Sequence, residues 1–372
     1  MLVVLTNIPT PYRTALFDAV ATECARLGQG FHVLYCAETE PGRHWPYHPD
    51  EMRHPHTVLR GWHPRIAGTS AHLNPSVLAT LRRLRPTTLL VAGAWNTPTM
   101  QLAAWSDVPC RRVFWSEGHA DAALHAGGLI AWARRRAYRS YDAFAVPNRR
   151  SAEWALRQAG EAKPIIDLPN AIDTDFYQPA TVEQKAAARR ALGLSATGRV
   201  LVQVGALSER KGVLPLAQAF RELPAVVTGD ATLLFVGSGP QEAALQAQAA
   251  DSAGALRLLG QRDATGVREV LHAADVFVLN TRLDPNPLAP IEAAACGVPL
   301  ALSAKAGNVA ELIDHGGFGV VIEDPSAPAE ALATVLGWSE ARRAEIAGRA
   351  RAGAAQGFSA TAVARQLVRQ LV

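Results

Sequence analysis

Short, almost continuously apolar runs alternate with longer stretches of helical periodicity along this chain of 372 residues. Such alternation is typical of parallel sheets whose strands are covered by helices on both faces. The predicted strands lie near 2–6, 31–36, 88–92, 112–115, 143–146, 165–168, 199–204, 232–236, 275–279, 299–302 and 319–322. The predicted helices lie near 14–26, 76–84, 150–159, 182–192, 213–222, 241–250, 264–273 and 326–335. Eleven strands fit two doubly wound α/β sheets better than one.

The length of the chain predicts two domains, because 372 residues are too many for one comfortable core. The stretch 173–197, with its polar turns and charged helix, separates the two groups of strands. We place an N-terminal domain at 1–178 and a C-terminal domain at 179–357, and we expect the amphipathic segment 358–372 to return to the N-terminal domain. Both domains are expected to be Rossmann-like and to face each other across a cleft, since ligands bind at the carboxyl ends of such strands.

Charge and composition exclude several classes of protein. The formal net charge is +4, and no basic run is interleaved with stacking aromatics, so no nucleic-acid partner is expected. No apolar run reaches the roughly 20 residues that span a bilayer, and the apolar start of the chain is predicted to be a strand rather than a signal peptide. The four cysteines have no paired spacing, so neither disulfides nor a zinc site is predicted and a cytoplasmic location is expected.

The segment 284–297 combines polar residues with signals for the start of a helix. Asn286 suits an N-cap with Pro287 at the first helical position, although a later proline can open the helix instead. A helix that starts after a strand can bind an anion through its free N–H groups and its dipole. Because the prolines have no N–H, we predict that the backbone amides of Leu288 and Ala289 are the donors.

Two carboxylates flank this predicted helix start. Asp284 precedes it, and Glu292 lies in its early turns with its side chain leaning back toward the N-terminus. Carboxylates accept hydrogen bonds from vicinal hydroxyls, so this pair beside an anion site suits a sugar phosphate. An acidic bias that only offsets the helix dipole explains the same two residues equally well.

The loop 205–212 follows a predicted strand and joins two glycines to a basic pair. Gly205 permits a tight turn, while Arg210 and Lys211 can place positive charge on a diphosphate. Each charge-assisted contact of this kind contributes roughly 1.5–3 kcal/mol. A solvated basic pair is the alternative. The loop is not a P-loop, and the glycine turn 237–240 lacks the full dinucleotide fingerprint.

Polar and aromatic residues also follow strands of the first half of the chain. The candidates for a ligand site there are Tyr12, Arg13, Trp95, Asn96, Glu117 and His119. A histidine at a strand end can hydrogen-bond a hydroxyl or a carbonyl group, and Trp95 offers a stacking face. Ordinary structural roles are the alternatives, namely capping of the first helix by Thr10 and a place for Trp95 in the core.

Several segments carry a family pattern in order along nearly the whole chain. They are Pro169-Asn170-Ala171-Ile172-Asp173-Thr174-Asp175-Phe176, Gly205…Lys211-Gly212, Gly237-Ser238-Gly239-Pro240, Leu259-Gly260-Gln261, Ala274-Asp275-Val276-Phe277-Val278, Asp284…Glu292 and Gly307…Glu311. Each is weak alone. In this order and spacing they resemble the family 4 retaining glycosyltransferases, which have the two-domain GT-B fold.

The resemblance implies an acceptor-binding N-terminal domain and a nucleotide-sugar-binding C-terminal domain. It implies that Asp284 contacts the donor sugar, that Glu292 binds the ribose hydroxyls and that Lys211 grips the diphosphate. By the same resemblance His119 faces the transferred sugar and Gln261 lies near the base.

This sequence also departs from the family pattern. Asp284 stands where the family usually has Glu, and it is shorter by about 1.5 Å. Ala206 replaces an arginine that clamps the diphosphate, for which Arg210 or Arg13 can substitute. The first loop has Pro-Thr-Pro at 9–11 in place of paired glycines, and Asn-Pro at 286–287 replaces Phe-Gly. Such changes bear on the donor sugar and its pose.

The resemblance implies a retaining transferase that moves a hexose-type sugar from a nucleotide diphosphate sugar to a hydroxyl group. A UDP-sugar is the donor by family frequency, and the acceptor is a natural product, a glycan or a lipid-linked saccharide. No D-x-D directly follows a predicted strand, so neither a metal nor a further cofactor is expected. The alternatives are a nucleotide-sugar epimerase of the same fold and a non-catalytic partner subunit that binds the nucleotide sugar.

Two arginine-rich stretches suit a peripheral contact with an anionic membrane and hence a lipid-linked acceptor. One is Arg134-Arg135-Arg136 beside Trp132 and Tyr138, and the other is Arg82-Arg83-Leu84-Arg85. Solvated helix faces explain both stretches as well, and a soluble acceptor fits equally. A cytoplasmic protein that can lie at the inner face of the membrane is compatible with either a lipid-linked or a soluble acceptor.

Overall fold

The computed structural model describes residues 1–41, 49–66, 69–120 and 127–372. These residues form two compact units, one of Met1–Asp173 with Ser359–Val372 and one of Thr174–Phe358. Each unit is built around one parallel sheet, which confirms the prediction of two doubly wound, Rossmann-like domains.

The first unit has a parallel sheet whose strands alternate with helices. The strands are β1 (Leu2–Thr6), β2 (Phe31–Tyr35), β3 (His56–Val58), β6 (Thr88–Ala92), β7 (Arg111–Trp115), β8 (Ala143–Val146) and β9 (Ile165–Asp167), with a separate antiparallel pair β4 (Arg65–Ile66) and β5 (Thr69–Ser70). The helices are α1 (Pro11–Arg26), α2 (Ser76–Leu84), α3 (Pro98–Ala104), α4 (Gly128–Arg139), α5 (Arg149–Ala159) and, from the end of the chain, α14 (Ala360–Leu371). The strand order is β3-β2-β1-β6-β7-β8-β9.

The sequence of β1 explains why this sheet is buried on both faces. Leu2 and Val4 pack in one core, and Val3 and Leu5 pack in a second core on the other side. Successive side chains of a strand point to opposite faces, so an apolar run without polar interruption requires cover on each side. The helix α14 supplies part of that cover, since it packs against α1 and its Leu367 lies in the first of these cores.

The second unit repeats the pattern. Its strands are β10 (Val200–Val204), β11 (Thr232–Val236), β12 (Leu256–Leu258), β13 (Val276–Leu279), β14 (Leu300–Ser303) and β15 (Gly319–Ile322). Its helices are α6 (Val182–Ala191), α7 (Val213–Glu222), α8 (Ala225–Thr228), α9 (Glu242–Ala250), α10 (Ala264–Ala273), α11 (Ala289–Ala295), α12 (Ala329–Leu336) and α13 (Glu340–Gly357). The strand order is β12-β11-β10-β13-β14-β15, with every pair parallel.

Some elements have no counterpart in the sequence prediction. The edge strands β3 and β12 are three residues long, which is too short for a recognisable alternation. The helix α13 is rich in Ala, Arg and Gly and has little apolar periodicity, so its helical propensity outweighs its weak pattern.

Candidate functional site

The strand order of the second sheet reverses between β10 and β13, since the chain proceeds from β10 outward to β12 and then returns to β13. Loops that follow the two strands at such a switch point diverge and leave a crevice where ligands of open parallel sheets bind. The loop after β10 carries Arg210 and Lys211, and the loop after β13 carries Asp284. The fold therefore brings together two segments that sequence analysis singled out separately.

The loop after β10 has a fixed conformation. Gly205 and Gly212 both have positive φ, 139° and 62°, and a Cβ on Gly212 would lie 2.0 Å from the carbonyl oxygen of Asn280. The residues Glu209–Lys211 form a short 3-10 turn, and Gln203 Nε2 donates to the Lys211 carbonyl oxygen at 3.1 Å. Glycine is required at 212 because the loop touches the end of β13 there.

Lys211 and Asp284 form an ion pair in this crevice. Lys211 Nζ donates to Asp284 Oδ2, and the two side chains are only 11% and 13% exposed. Arg210 Nη1 lies 3.8 Å from the same oxygen and donates to the Leu283 carbonyl oxygen at 2.7 Å. The two cations and the carboxylate thus lie close together in a partly desolvated crevice, where charges interact more strongly than in water.

The helix after Asp284 begins later than predicted. It starts at Ala289 with Leu288 as the cap, and Asn286 and Pro287 precede it, so the prediction of an Asn286 cap followed by Pro287 is wrong. Leu288 already has helical backbone angles, and its carbonyl oxygen accepts from Ile291 N at 2.8 Å. The proline at position 290 fits the first turn better because a missing N–H costs nothing there.

Glu292 lies in α11 with an environment unlike that of Asp284. Burial raises the pKa of Glu292 to about 7, and a hydrogen bond from the Tyr177 hydroxyl opposes that rise. Burial likewise raises the pKa of Tyr177, to which the nearby Glu292 carboxylate adds. Tyr177 belongs to the segment after Asp175-Phe176 and was not among the predicted site residues. A tyrosine in a junction motif gives no sequence signal that it contacts a helix more than 100 residues later.

The remaining predicted residue of the second unit, Gln261, follows β12 on the surface. Its Oε1 accepts from Ser238 Oγ at 3.4 Å, which links it to the glycine turn after β11. That turn packs closely on the loop after β10, since a Cβ on Gly237 would lie 2.0 Å from the Gly205 carbonyl oxygen. Among the described residues, no hydrogen bond joins Gln261 to Lys211 or Asp284. Gln261 nevertheless lies at the same edge of the sheet as that ion pair.

A second candidate site lies at the switch point of the first sheet, where β1 stands between β2 and β6. A cavity of about 430 Å³ opens there and is lined by residues from the loops after β1, β2, β6 and β7. The lining residues that carry polar or aromatic side chains include Asn7, Thr10, Tyr12, Arg13, Glu40, Trp95, Trp115 and Glu117. The cavity is large enough for a small ring-shaped ligand.

Arg13 is the central charge of this cavity. Its Nη1 donates to Thr6 Oγ1 at 2.9 Å, and its Nη2 lies 3.3 Å from Glu117 Oε1. The guanidinium stands over the ring of Trp115 at 4.6 Å from the centroid. Thr10 occupies the N-cap position of α1, as the capping alternative expected, but its side chain makes no capping hydrogen bond.

Two predicted residues of the first unit stand apart from this cavity. Asn96 is exposed, and His119 is buried at 4% exposure; neither is among the residues that line the cavity. Glu40 lines it and was not predicted. The rule that functional residues follow strand ends, applied to β2, would have pointed to it.

A different surface of the first unit combines exposed aromatic and aliphatic side chains with arginines. Trp105, Leu129, Ile130 and Trp132 are exposed by 57%, 78%, 46% and 56%. Arg135, Arg136 and Arg139 lie beside both tryptophans. We call these seven residues the Trp/Arg face. Part of the predicted cluster is wrong, because Arg134 and Tyr138 are buried at 5% and 3% exposure.

The buried members of that cluster have structural partners. Arg134 Nε donates to Gln158 Oε1 at 2.9 Å and its guanidinium stands 5.1 Å from the Trp154 ring, while Tyr138 Oη lies 3.1 Å from Ser116 Oγ. In the second stretch Arg82 is exposed and pairs with Asp107. These residues stabilise the packing of helices, and the free part of the basic surface is smaller than the sequence suggested.

The described residues give no sign of other common site types. All four cysteines are free. No group of three or more His, Cys, Asp and Glu side chains among the described residues is arranged to hold a metal ion. No described helix is both long and apolar enough to cross a membrane.

Two Rossmann-like domains, each with its polar residues at the switch point of its sheet, define the GT-B class of fold. The solved structure of Anabaena HepE in complex with UDP is similar, with a TM-score of 0.74 at 18% identity over 100% of this chain and 99% of that one. WaaG, a glycosyltransferase involved in lipopolysaccharide biosynthesis, is similar with a TM-score of 0.67 at 17% identity over 100% of both chains. At these identities the likeness concerns the fold.

Residues 184–351 match the family described as Glycosyl transferases group 1. The chain is 34% identical over 165 residues to a GDP-mannose-dependent monoacylated alpha-(1-6)-phosphatidylinositol monomannoside mannosyltransferase of Corynebacterium glutamicum, covering 42% of each chain. It is 31% identical over 225 residues to the D-inositol 3-phosphate glycosyltransferase of Thermobispora bispora, covering 54% of this chain and 52% of that one. The chain thus spans about half the length of the curated relatives it matches.

Proposed function

We propose that this protein is a retaining, metal-independent glycosyltransferase that moves a hexose-type sugar from a nucleotide diphosphate sugar to a hydroxyl acceptor. One observation carries the proposal. Lys211, Arg210 and Asp284 converge at the switch point of the second sheet, with Glu292 on the helix that follows. Basic groups for a diphosphate and carboxylates for sugar hydroxyls are the chemistry that a nucleotide sugar requires.

The donor-binding roles follow from these contacts. Lys211 and Arg210 hold the diphosphate, and Asp284 accepts hydrogen bonds from hydroxyls of the sugar. Gly205 allows the phosphate to approach the backbone, while the amides of Leu288 and Ala289, together with Asn286, lie at the same loop. Glu292 binds the ribose and Gln261 lies toward the base. The ion pair neutralises Lys211 and Asp284, so a bound donor competes for both charges.

In the reaction, the bond between the anomeric carbon and the diphosphate oxygen breaks, and negative charge develops on that oxygen. Lys211 and Arg210 stabilise this charge, which is the kind of electrostatic effect that usually contributes most to catalysis. The acceptor hydroxyl attacks from the face that the diphosphate leaves, and its proton passes to the departing phosphate oxygen. The configuration at the anomeric carbon is therefore retained.

We assign acceptor binding to the first unit. Its cavity offers the aromatic rings of Tyr12 and Trp95 and the paired groups Arg13 and Glu117. Aromatic faces and carboxylates are suited to hydroxylated rings. Asn96 and His119, which do not line the cavity, keep their proposed roles beside the acceptor and the transferred sugar only by resemblance.

We also propose a peripheral contact with anionic lipid through the Trp/Arg face, at the cytoplasmic side of a membrane. Exposed tryptophans and aliphatic side chains insert among headgroups, and each nearby arginine adds about 1 kcal/mol of attraction to an anionic surface. The curated relative of Corynebacterium is named for a phosphatidylinositol mannoside acceptor, which is consistent with a lipid-linked acceptor here.

The first experiment is a thermal-shift panel of UDP-, GDP-, ADP- and dTDP-sugars in the presence of EDTA. One donor is expected to raise the melting temperature of the wild type by several degrees, and Glu292→Ala is expected to lose most of that shift. A UDP-sugar is our first choice, and the GDP-mannose named for the relative is the second. Activity only after metal addition would contradict metal independence, and failure of every donor would contradict the donor site.

Incubation of the stabilising donor without an acceptor distinguishes the other functions. Free or nucleotide-linked sugar isomers formed from donor alone would indicate an epimerase. A donor that binds but is never turned over with any acceptor would indicate a partner subunit. Transfer with the anomeric configuration of the donor supports the proposal, and inversion contradicts it.

A further inference from the structure

The ion pair between Lys211 and Asp284 differs from the surface ion pairs of this chain. Its two side chains are 11% and 13% exposed, whereas those of Arg282 and Glu209, which pair on the same two loops, are 44% and 76% exposed. Water and salt screen a partly buried pair much less than an exposed one. A ligand that takes the amine of Lys211 must therefore displace a carboxylate that already interacts strongly with it.

The backbones of both partners are held in place. The carbonyl oxygen of Lys211 accepts from Gln203 Nε2 at 3.1 Å, and the lysine side chain passes over Gly205, where a Cβ would lie 3.5 Å from Lys211 Cε. On the other loop, the carbonyl oxygen of Asp284 accepts from Gly307 N at 2.7 Å. Because little conformational freedom is lost when this ion pair forms again, it competes well with a ligand for the amine.

Asp284 also lowers the attraction of the loop after β10 for an anion. Arg210 Nη1 lies 3.8 Å from the same oxygen, Oδ2, that accepts from Lys211. One carboxylate thus offsets the charge of one of two neighbouring cations. A diphosphate that enters the crevice gains less from Lys211 and Arg210 than it would if neither had a counterion.

The donor and the product differ in what they offer to Asp284. In the proposed donor site, hydroxyl groups of the sugar donate hydrogen bonds to this carboxylate. The nucleoside diphosphate that is left after transfer has no such sugar. A carboxylate that gives up Lys211 is therefore compensated in the donor complex and left without that compensation in the product complex, where the loss of a partner costs more.

We propose that Asp284 competes with the bound diphosphate for Lys211 and thereby favours release of the nucleoside diphosphate product. Asp284 is then a specificity-determining residue, through which the site prefers the donor to the product. This inference rests on the proposed function, which supplies the identity of the ligand. It predicts a distinctive sign: removal of the charge of Asp284 should strengthen the binding of a nucleoside diphosphate, whereas damage to the structure of the site would weaken it.

The test is calorimetric titration of the wild type and Asp284→Asn with UDP, with GDP and with the nucleotide sugar that the thermal-shift panel selects. The nucleoside diphosphate that binds the wild type should bind Asp284→Asn about tenfold more tightly, because the amine no longer has to leave a charge-assisted contact. The nucleotide sugar should gain less than about threefold, because the variant also loses the carboxylate toward the sugar hydroxyls. The melting temperature without ligand checks the fold, and Asp284→Ser carries the same expectation if Asp284→Asn does not fold.

Two further variants separate competition for Lys211 from a general effect of charge. Glu209→Gln removes the same charge from the loop of Lys211, but Glu209 is 76% exposed and pairs with Arg282, so the affinity for UDP or GDP should change less than about twofold. In a protein that already carries Lys211→Ala, the gain from Asp284→Asn should fall below about threefold, because the two residues act as a pair. An undiminished gain there would mean that Asp284 repels the diphosphate directly.

The proposal is overturned if Asp284→Asn binds the nucleoside diphosphate no more tightly than the wild type, or if Glu209→Gln gives the same gain. It is also overturned if the nucleotide sugar gains as much, or if the gain persists without Lys211. Lys211→Ala alone separates these failures from failure of the proposed function. If that variant weakens binding while any of these outcomes is seen, only this inference fails. If no nucleoside diphosphate or nucleotide sugar binds the wild type, or if Lys211→Ala binds it equally well, the proposed donor site fails and this inference fails with it.

Discussion

The hydroxyl group of Tyr177 interacts with the carboxylate of Glu292, and this contact links the segment before α6 to the helix α11. Burial of this pair raises the pKa of Glu292 to about 7, and the hydrogen bond from Tyr177 keeps it from rising further. With that pKa, the carboxylate that we propose to bind ribose hydroxyls is close to half-protonated at neutral pH. Donor binding and protonation of Glu292 should be linked.

The affinity for a nucleotide sugar is expected to increase as pH rises through about 7, since in the proposed donor site ionised Glu292 accepts hydrogen bonds from the ribose hydroxyls. Tyr177→Phe removes the interaction that lowers the pKa of Glu292, so its midpoint should move to higher pH. Calorimetric titration of the stabilising donor between about pH 5 and pH 9 measures both curves. The diphosphate of a nucleotide sugar does not titrate in this range, and identical midpoints in the two proteins would contradict the linkage.

Glu292 also makes the free energy of unfolding depend on pH. This free energy is expected to fall as pH rises, whereas the affinity for the donor is expected to increase. The folded-state pKa of Glu292 lies above its ordinary value of 4.5, so the folded protein holds this proton more tightly than the unfolded chain. Its contribution to the free energy of unfolding is complete below about pH 4.5 and falls as pH rises through 7. Glu292→Gln should remove that slope in urea titrations, and a slope unchanged in the variant would show that another group causes it.

Lys211→Ala is expected to weaken donor binding about 10- to 100-fold, because a charge-assisted contact with the diphosphate contributes roughly 1.5–3 kcal/mol. The variant also leaves Asp284 with only the more distant Arg210 as a cation, so a lower melting temperature is expected as well. Lys211→Arg, which keeps the charge, should retain more of the affinity. Calorimetry with UDP and GDP measures the effect.

Arg282→Ala is the matched control for that series. Arg282 lies on the loop of Asp284 but pairs with Glu209 at 2.9 Å on the surface and is 44% exposed. Surface pairs of this kind contribute little, so its donor affinity should equal that of the wild type. An equal loss in the Lys211 and Arg282 variants would mean that general positive charge, rather than the switch-point pair, binds the diphosphate.

The sequence motif at 274–278 has a structural role that can be tested separately. Asp275 Oδ1 lies 2.7 Å from Lys185 Nζ, and Asp275 Oδ2 lies 2.6 Å from Arg189 Nη2 and 2.9 Å from Val200 N. Burial alone would raise the pKa of Asp275, but these partners hold it below its ordinary value. The carboxylate therefore ties α6 to the first strand of the second sheet.

Asp275→Asn is expected to lower the free energy of unfolding by about 3–5 kcal/mol, since it leaves the buried Arg189 with no counterion. The folded-state pKa of Asp275 is depressed, so its contribution is complete above about pH 4 and is lost as pH falls further. Urea unfolding at neutral and acidic pH measures this. Asp251→Asn, at an exposed position, is the control. A loss below about 1 kcal/mol would contradict the buried-pair assignment.

The fold followed from the sequence because its determinants are local. Continuous apolar runs such as that of β1 identify buried parallel strands, and short polar turns between them separate the elements. Lys211 and Asp284 were predictable for a related reason: both follow strands, and the two strands flank the switch point. Their separation of 73 positions is bridged by the fold itself.

Contacts that depend on tertiary packing were not predictable in this way. Glu40 and His72 are 32 positions apart, and only the approach of two irregular segments makes them partners. In the sequence, nothing distinguishes Arg134 from the two arginines that follow it. In the structure, packing of α4 on α5 buries Arg134, while Arg135 and Arg136 stay exposed. Periodicity identifies the apolar face of a helix, but it does not identify which polar residue finds a buried partner.

The Trp/Arg face is expected to bind vesicles that contain anionic lipid. The protein is expected to float with vesicles that contain about 30% anionic lipid and to remain unbound with zwitterionic vesicles, with binding reduced at high salt. Arg135→Glu with Arg136→Glu should reduce binding more than tenfold, because each arginine contributes about 1 kcal/mol and its reversal adds repulsion. Leu129→Ala with Trp132→Ala should also reduce it by removing exposed apolar area.

Two variants outside this face distinguish a specific surface from net charge and general hydrophobicity. Arg351→Glu changes an exposed arginine of the second unit, and Val226→Ala changes a valine that is 93% exposed there. Both should float like the wild type. If Arg351→Glu reduces binding as much as the Arg135 and Arg136 reversals, the net positive charge of the chain explains the attraction. Loss of binding only in the variants of the Trp/Arg face, with the donor thermal shift intact, assigns membrane contact to that face and favours a lipid-linked acceptor.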